Sequence, residues 1–352
     1  MKLPGFVSQF KNDLAVIPSH IKEQVNKVNG LSDRDLLNLL IDPHDDRVVA
    51  PSVPIDTVVK YYHDNIDEYT EIGSKAIENG EVAYCIIADG IDSISGSAKS
   101  LLKIPNLEMS LITLKMFQAT GTGPIVILST KDINEDHKAH LSAQMGVDMS
   151  RITFIDQFQS YSLSPDYSFI LDEAKQPSLC SCGPGDIFQL LADHPVTKQV
   201  KYVMVVDVSN IFASLDPTII GHHIYLNCKV SCEVTRRKDH EPGSVLVLAA
   251  DGLQISDISR IDVENIDDYS WLCTDSYVMN SDISFSQLGK QWYRQQKKIK
   301  GTVQVQHNRL LEEITTAYDT AYVCVDRSER FMPVRDLEDL NTVKMLVNIN
   351  AV

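Results

Sequence analysis

The chain has 352 residues, 43% of them hydrophobic, and a formal net charge of −16. That length suits one large α/β domain with appendages or two domains, and the apolar content fills a sizeable core. The acidic balance disfavours nucleic acid and anionic membranes as partners unless a local basic patch overrides it.

No apolar run approaches the roughly 18 residues of a membrane span, and the opening MKLPGFVSQFKNDLAV has no apolar stretch of signal-peptide length. The expectation is a cytoplasmic protein. Seven cysteines are present, an odd number with no CxxC pair. They predict free, largely buried thiols in place of a disulfide frame or a zinc site. His222-His223 has neither an HxxxH pattern nor a Cys pair nearby, so no metal site is predicted. The one dense basic run, Arg294 to Lys300, is read as a solvated helix end.

In chain order, LSDRDLLNLLIDP (31–43) predicts a helix capped by Ser32, with Asp35 three residues on and a stop at Pro43. PIDTVVKYYHDNIDEYTEIGSKAIENG (54–80) predicts a helix, a break and a second helix ending at Gly80. EVAYCIIADG (81–90) is a short apolar run closing on glycine, the pattern of a buried parallel strand that enters a loop. Strand patterns recur at 123–130, 151–157 and 201–210, with helical patterns between them at EDHKAHLSAQMG and GDIFQLLADH. That alternation predicts a mostly parallel sheet with helices on both faces. Residues 228–261 look more antiparallel, with a turn at EPG, and TAYVCVDRSERFMPVRDLEDL supplies a further strand and loop.

Seven segments, in order, resemble the UDP-sugar pyrophosphorylases, and most closely the eukaryotic UDP-N-acetylglucosamine enzymes. IGSKAIENGEVAYCIIADGIDSISG (72–96) is similar to the family segment that leads through a strand into the loop A-G-G-Q-G-T-R-L-G. FIDQ resembles F-F-x-Q. SCGPGDIFQLL resembles P-D-G-N-G-G-L-Y and the G-H-G-D of the UDP-glucose enzymes. VSNIFASLDPTIIG resembles V-D-N-x-L-x-x-x-x-D-P-x-x-I-G, and KVSCEVTRRKDHEPGSV, QQKKIK and RSERFMPVRD match later blocks. The resemblance covers roughly residues 70 to 340. It implies a Rossmann-like, GT-A-like nucleotidyltransferase α/β fold with a mixed, mostly parallel sheet. The division it suggests is a helical N-terminal part (1–80), a nucleotidyltransferase-like domain (81–340) and a tail (341–352).

The same resemblance implies transfer of a uridylyl group from UTP to a sugar-1-phosphate, with Mg²⁺. The glycine-rich loop would cradle phosphate with backbone N–H groups while its arginine steadies the leaving pyrophosphate. Here Asp89 and Asp92 replace loop glycines and Ile94 stands for the arginine. Ser209 stands for the metal-holding aspartate. Asp207, two residues earlier, is expected to face away from it and not to substitute. In the sugar pocket Pro184 replaces Asn or His, Asp257 replaces Glu, and the asparagine-rich strand end becomes Cys273-Thr274-Asp275-Ser276.

Several charges and turns persist. Lys99 resembles the lysine after the loop, though about two residues early, and Arg335 keeps a lysine's charge. Gly90, Gln157 and Gly183 would meet a uracil edge. Each also has a plain structural role: a strand cap for Gln157, turns for the glycines, solvated or surface-paired cations for Lys99 and Arg335. The reading is a diverged pseudoenzyme with no intact catalytic set and no metal. It would act by binding or assembly, with itself or another protein, and retain uracil-nucleotide binding. The alternative is an active uridylyltransferase, using N-acetylglucosamine-1-phosphate or glucose-1-phosphate and Mg²⁺, with a rearranged phosphate loop.

Overall fold

The structure is a computed structural model that describes residues 60–61, 65–90, 98–105, 107–166, 168–172, 174–249, 252–261, 266–288, 292–299, 301–334, 339–340 and 343. The expected helix at 31–43, the loop positions Asp92 and Ile94, and Arg335 lie outside these residues.

The described elements are β1 (Lys60–Tyr61), α1 (Ile66–Glu78), β2 (Val82–Ile87), α2 (Leu111–Gln118), β3 (Ile125–Ser129), α3 (Lys131–Ser142), β4 (Ile152–Asp156), β5 (Gln159–Tyr161), β6 (Leu179–Ser181), α4 (Asp186–Leu191), α5 (Pro195–Gln199) and β7 (Tyr202–Asp207). There follow α6 (Pro217–Leu226), β8 (Val230–Arg236), β9 (Ser244–Ala249), β10 (Gly252–Asp257), β11 (Trp271–Asn280), β12 (Tyr293–Ile299), β13 (Thr302–Asn308), α7 (Ile314–Ala317), β14 (Thr320–Cys324) and α8 (Arg327–Arg330).

The main sheet runs β1-β14-β8-β11-β7-β2-β3-β4, with the β9–β10 hairpin joined at β11. It is mixed and mostly parallel, because antiparallel β11 lies between the parallel groups. All the residues of β2 and β3 are buried. Strands covered on both faces read as continuous apolar runs, and for that reason they stand out in the sequence.

Alternate residues feed two cores. Ala83, Cys85 and Ile87 join Val203 and Val205 on one face, under α4 and α5. Tyr84 and Ile86 join Met204 and Val206 on the other, under α1, α2, α3 and α6. Helix α6 is capped by Asp216, whose carboxylate accepts from Thr218 N and Ile219 N, with Pro217 opening its first turn.

Two expectations change. Lys60–Tyr61 is a strand that pairs with β14, where the sequence suggested helix. The basic run is strand β12 of a hairpin with β13, not a helix end. Tyr293 is buried beside exposed Arg294, and the helical reading missed that alternation. The segment 228–261 is mainly antiparallel as expected: β9 pairs so with β10 and β11, and β8 with β11, while β8 also pairs in parallel with β14. Among the described residues no helix is long and apolar enough to cross a membrane.

Candidate functional site

Strands β2 and β7 are parallel neighbours, with Ile87 opposite Asp207. Their C-terminal ends open the crevice in which doubly wound sheets bind ligands. Past β2 the chain leaves the sheet through Asp89 and Gly90. Gly90 has φ +112°, and a Cβ there would meet nothing within 4 Å. Backbone conformation, not crowding, calls for glycine at this turn. Lys99 N donates to Gly90 O at 3.0 Å, so the far end of the loop returns to its start and brings Lys99 to the crevice mouth.

The half-buried Asp89 carboxylate accepts a hydrogen bond from Ser181 Oγ at the end of β6. Burial pushes this carboxyl above the usual range. The Ser181 hydroxyl, the Gly90 N–H and the Lys297 charge pull it back, and the Asp207 charge raises it further. Two strand ends and the β12 strand therefore converge on one acidic crevice. Lys297 belongs to the basic run, and its charge acts on both Asp89 and Cys180.

Asp207 departs from expectation. It shares the face of Val203 and Val205, as residues two apart in a strand must. Its Oδ1 accepts from Ser209 N at 2.7 Å and from Ser209 Oγ, so the carboxylate folds over the turn and stands beside Ser209. Beneath this turn lies Lys115, which is fully buried. Its Nζ donates to Asn210 O at 2.6 Å, Ala213 O at 2.7 Å and Gln118 Oε1 at 2.9 Å. Burial drives its pKa well down, helped by nearby Arg330 and opposed by Asp207 and Glu233. Lys115 thereby fixes the segment after Ser209 from below.

On the far side of the crevice Gln157 donates from Nε2 to Gly183 O at 2.6 Å. Its Oε1 is buried with no hydrogen-bond partner, which leaves an acceptor open for a ligand donor. Gly183 has φ +90°, and a Cβ there would lie 2.6 Å from Arg309 O. Its glycine is fixed by the backbone of the β13 end. Pro184 follows, half-buried, and then Asp186, fully buried. Arg309 Nη1 donates to Asp186 Oδ1 at 2.8 Å and its guanidinium stacks on Trp292 at 4.0 Å. Burial raises Asp186 to about 7, with Arg309 opposing the rise.

The sugar-pocket positions fare differently. Asp257 ends β10 opposite Ser244, where its charge raises the carboxyl of buried Glu312. Thr274 is fully buried and donates its hydroxyl to Glu233 O at 3.2 Å. It belongs to the irregular stretch of β11 between Cys273 and Tyr277. The structure thus gathers Asp89, Gly90, Lys99, Asp207 and Ser209 at one crevice, with Gln157 and Gly183 paired on its flank, and leaves Thr274 within the core.

Among the described residues no three His, Cys, Asp or Glu side chains converge into a protein-only metal cage, so a Mg²⁺ shared with substrate phosphates would rest on Asp207. One oxygen of Asp207 already serves Ser209, and burial biases Asp89 toward its neutral form. Four participants escaped the sequence reading. Ser181 and Lys297 lie far along the chain from Asp89. Lys115 sits in an ordinary helical run, and Arg309 follows a strand that no pattern announced. Only Lys297 carried a signal, the QQKKIK run itself.

A strand-end crevice on a mixed, mostly parallel sheet with a loop after its first long strand is the architecture of sugar nucleotidyltransferases, and solved structures agree. UDP-N-acetylglucosamine pyrophosphorylase from Trypanosoma brucei, determined with an inhibitor, superposes with TM-score 0.72 at 16% identity, covering 97% of this chain and 82% of that one. The UDP-glucose phosphorylase of Trypanosoma brucei gives 0.72 at 17%, covering 94% and 78%. A mutant of Leishmania major UDP-glucose pyrophosphorylase, in complex with UDP-glucose, gives 0.67 at 15%, covering 97% and 80%. The family model for UTP–glucose-1-phosphate uridylyltransferase matches residues 97–350, and the chain belongs to that family.

Proposed function

We propose that this chain is a diverged member of the family that binds a neutral uracil nucleoside and acts by binding or assembly, without transferring a uridylyl group. The observation that carries the reading is Asp89. Its carboxylate, anchored by Ser181 and under the charge of Asp207, belongs to the segment that resembles the family's glycine-rich phosphate loop. Gln157 and Gly183 support the nucleoside half of the proposal, because the buried, unpartnered Oε1 of Gln157 needs a donor and carries no charge. The crevice therefore favours ligands in the order uridine, UMP, UTP.

The test is turnover and binding by the purified chain. Incubation with UTP, Mg²⁺ and either glucose-1-phosphate or N-acetylglucosamine-1-phosphate should release no pyrophosphate, while calorimetry should rank uridine above UTP. Sustained Mg²⁺-dependent turnover, abolished by Lys99→Ala, would replace this reading with an active uridylyltransferase. One observation favours that second reading: Asp207 stands beside Ser209, so a carboxylate is present at the strand end after all.

A further inference from the structure

At the opposite end of the strands, where β8 begins and β11 ends, four side chains form a chain of contacts unrelated to the crevice. Helix α6 ends at Asn227, in the left-handed conformation with φ 50°, and the turn presents half-buried Cys228. Cys228 Sγ lies 3.2 Å from Ser231 Oγ and 3.5 Å from His223 Nδ1. Ser231 Oγ is 2.7 Å from the same Nδ1. The other ring nitrogen, Nε2, is 2.9 Å from Asn280 Oδ1.

An amide oxygen only accepts, so Nε2 carries the proton and Nδ1 of the neutral ring is the acceptor. Burial supports this by holding His223 down at about 4, with His222 adding to the effect. Ser231 then donates to Nδ1, and its oxygen can take the thiol proton. The ring is held by Asn280 on one side and by an edge-on contact with Tyr202 at 5.7 Å. The backbone carbonyl of His223, 3.8 Å from Sγ, is a weaker alternative acceptor for the thiol. Cys180 and Cys324 are the other half-buried cysteines, and the Cys180 thiol is turned to the Ser160 carbonyl, not to an imidazole.

We propose that Cys228 is a base-assisted thiol that exchanges with small disulfides, with Ser231 and His223 relaying its proton and Asn280 positioning the imidazole. In the step, the Cys228 sulfur bonds to one sulfur of the disulfide as its proton passes through Ser231 to Nδ1. The S–S bond breaks, and the departing thiolate recovers that proton from the imidazolium. A protein thiol and a disulfide become a mixed disulfide and one free thiol, with no other oxidant. At rest the thiol is neutral, since burial raises it above its ordinary value and Asp319 adds to the rise. Exchange therefore depends on the relay and not on a standing thiolate.

The experiment incubates the full chain with glutathione disulfide and follows each cysteine-bearing peptide by mass spectrometry. Cys228 is expected to be the first site modified, ahead of Cys180 and Cys324. Removing the base by His223→Gln should slow it by on the order of 100-fold. Because His223 packs in the core, Ser231→Ala is the companion variant; it removes the relaying hydroxyl and leaves only the longer direct contact of 3.5 Å from Sγ to the imidazole. Slowing in both variants, with the same melting temperature as the parent for Ser231→Ala, supports the proposal. Modification of Cys228 at the parental rate in both variants, or preferential modification of another cysteine, overturns it.

Discussion

Replacing Asp89 with asparagine removes one charge from the crevice and leaves the shape nearly unchanged. Two unit charges about 4 Å apart interact by about 4 kcal/mol at an effective dielectric of about 20. The repulsion that a bound triphosphate feels is smaller, because the Lys297 charge acts on Asp89 and offsets part of it. Asp89 is also partly exposed, so solvent screens it further. A residual of roughly 1–3 kcal/mol corresponds to UTP binding tighter by about 5- to 150-fold in Asp89→Asn. Uridine, which carries no phosphate, should bind the variant as it binds the parent. Titration calorimetry of both ligands at low and high salt provides the measurement. The UTP gain should shrink as salt rises, since a half-exposed carboxylate acts through screened solvent. A parent protein that binds UTP more tightly than uridine, or a substitution that shifts both ligands equally, would refute the electrostatic reasoning.

Three further outcomes follow from the same geometry. Gly183→Ala combines a φ of +90° with a Cβ 2.6 Å from Arg309 O, so urea denaturation should show a loss of about 2 kcal/mol or more. Arg330→Met strands Glu233, which is 2% exposed and receives Arg330 Nη2 at 2.7 Å and Nε at 3.0 Å; the expected loss is ~3–5 kcal/mol, and a stable variant would show the pair to be dispensable. The pH profile of stability should carry the mark of Asp186, raised to about 7 from 3.8. The folded state then binds the extra proton, so this group's contribution is complete below about pH 3.8 and is lost as pH rises through about 7. His137 and His223, lowered to about 4 by burial, act in the opposite sense and withdraw stability as pH falls from 6.5 toward 4. Asp186→Asn should remove the loss on the alkaline side and leave the loss on the acid side; chemical denaturation between pH 4 and pH 8 distinguishes the two.

The sheet was legible where burial is two-sided. The runs at 82–87, 125–128 and 202–206 are apolar without interruption because helices cover both faces. Legibility fails at the margins. β1 has two residues and exists because β14 offers an edge, which no local pattern encodes. β12 puts lysines on a hairpin, and a lysine run carries little periodic signal of its own. Candidate site positions could be listed from the sequence, but their arrangement could not. Asp89 meets Ser181 across 92 residues of sequence, a contact that requires the fold. The position of Asp207 was recoverable from the sequence, since strand parity places it on the same face as the turn residue two positions on.

That parity matters for how the crevice is balanced. Asp207 ends β7 and Asp89 lies just past the end of its parallel neighbour β2, and two carboxylates so placed would repel unless each had donors of its own. Each has them. Asp207 takes the Ser209 N–H and hydroxyl, and Asp89 takes the Ser181 hydroxyl and the field of Lys297. The donors that an incoming phosphate would need are thus already turned toward the protein's own carboxylates. A ligand anion must displace these contacts as well as overcome the charge, whereas a neutral base at Gln157 disturbs neither. A glycine at position 89 would leave Ser181 and Lys297 without the carboxylate they now serve. Tighter phosphate binding in Asp89→Gly, still without turnover, is the outcome that the proposed binding role expects.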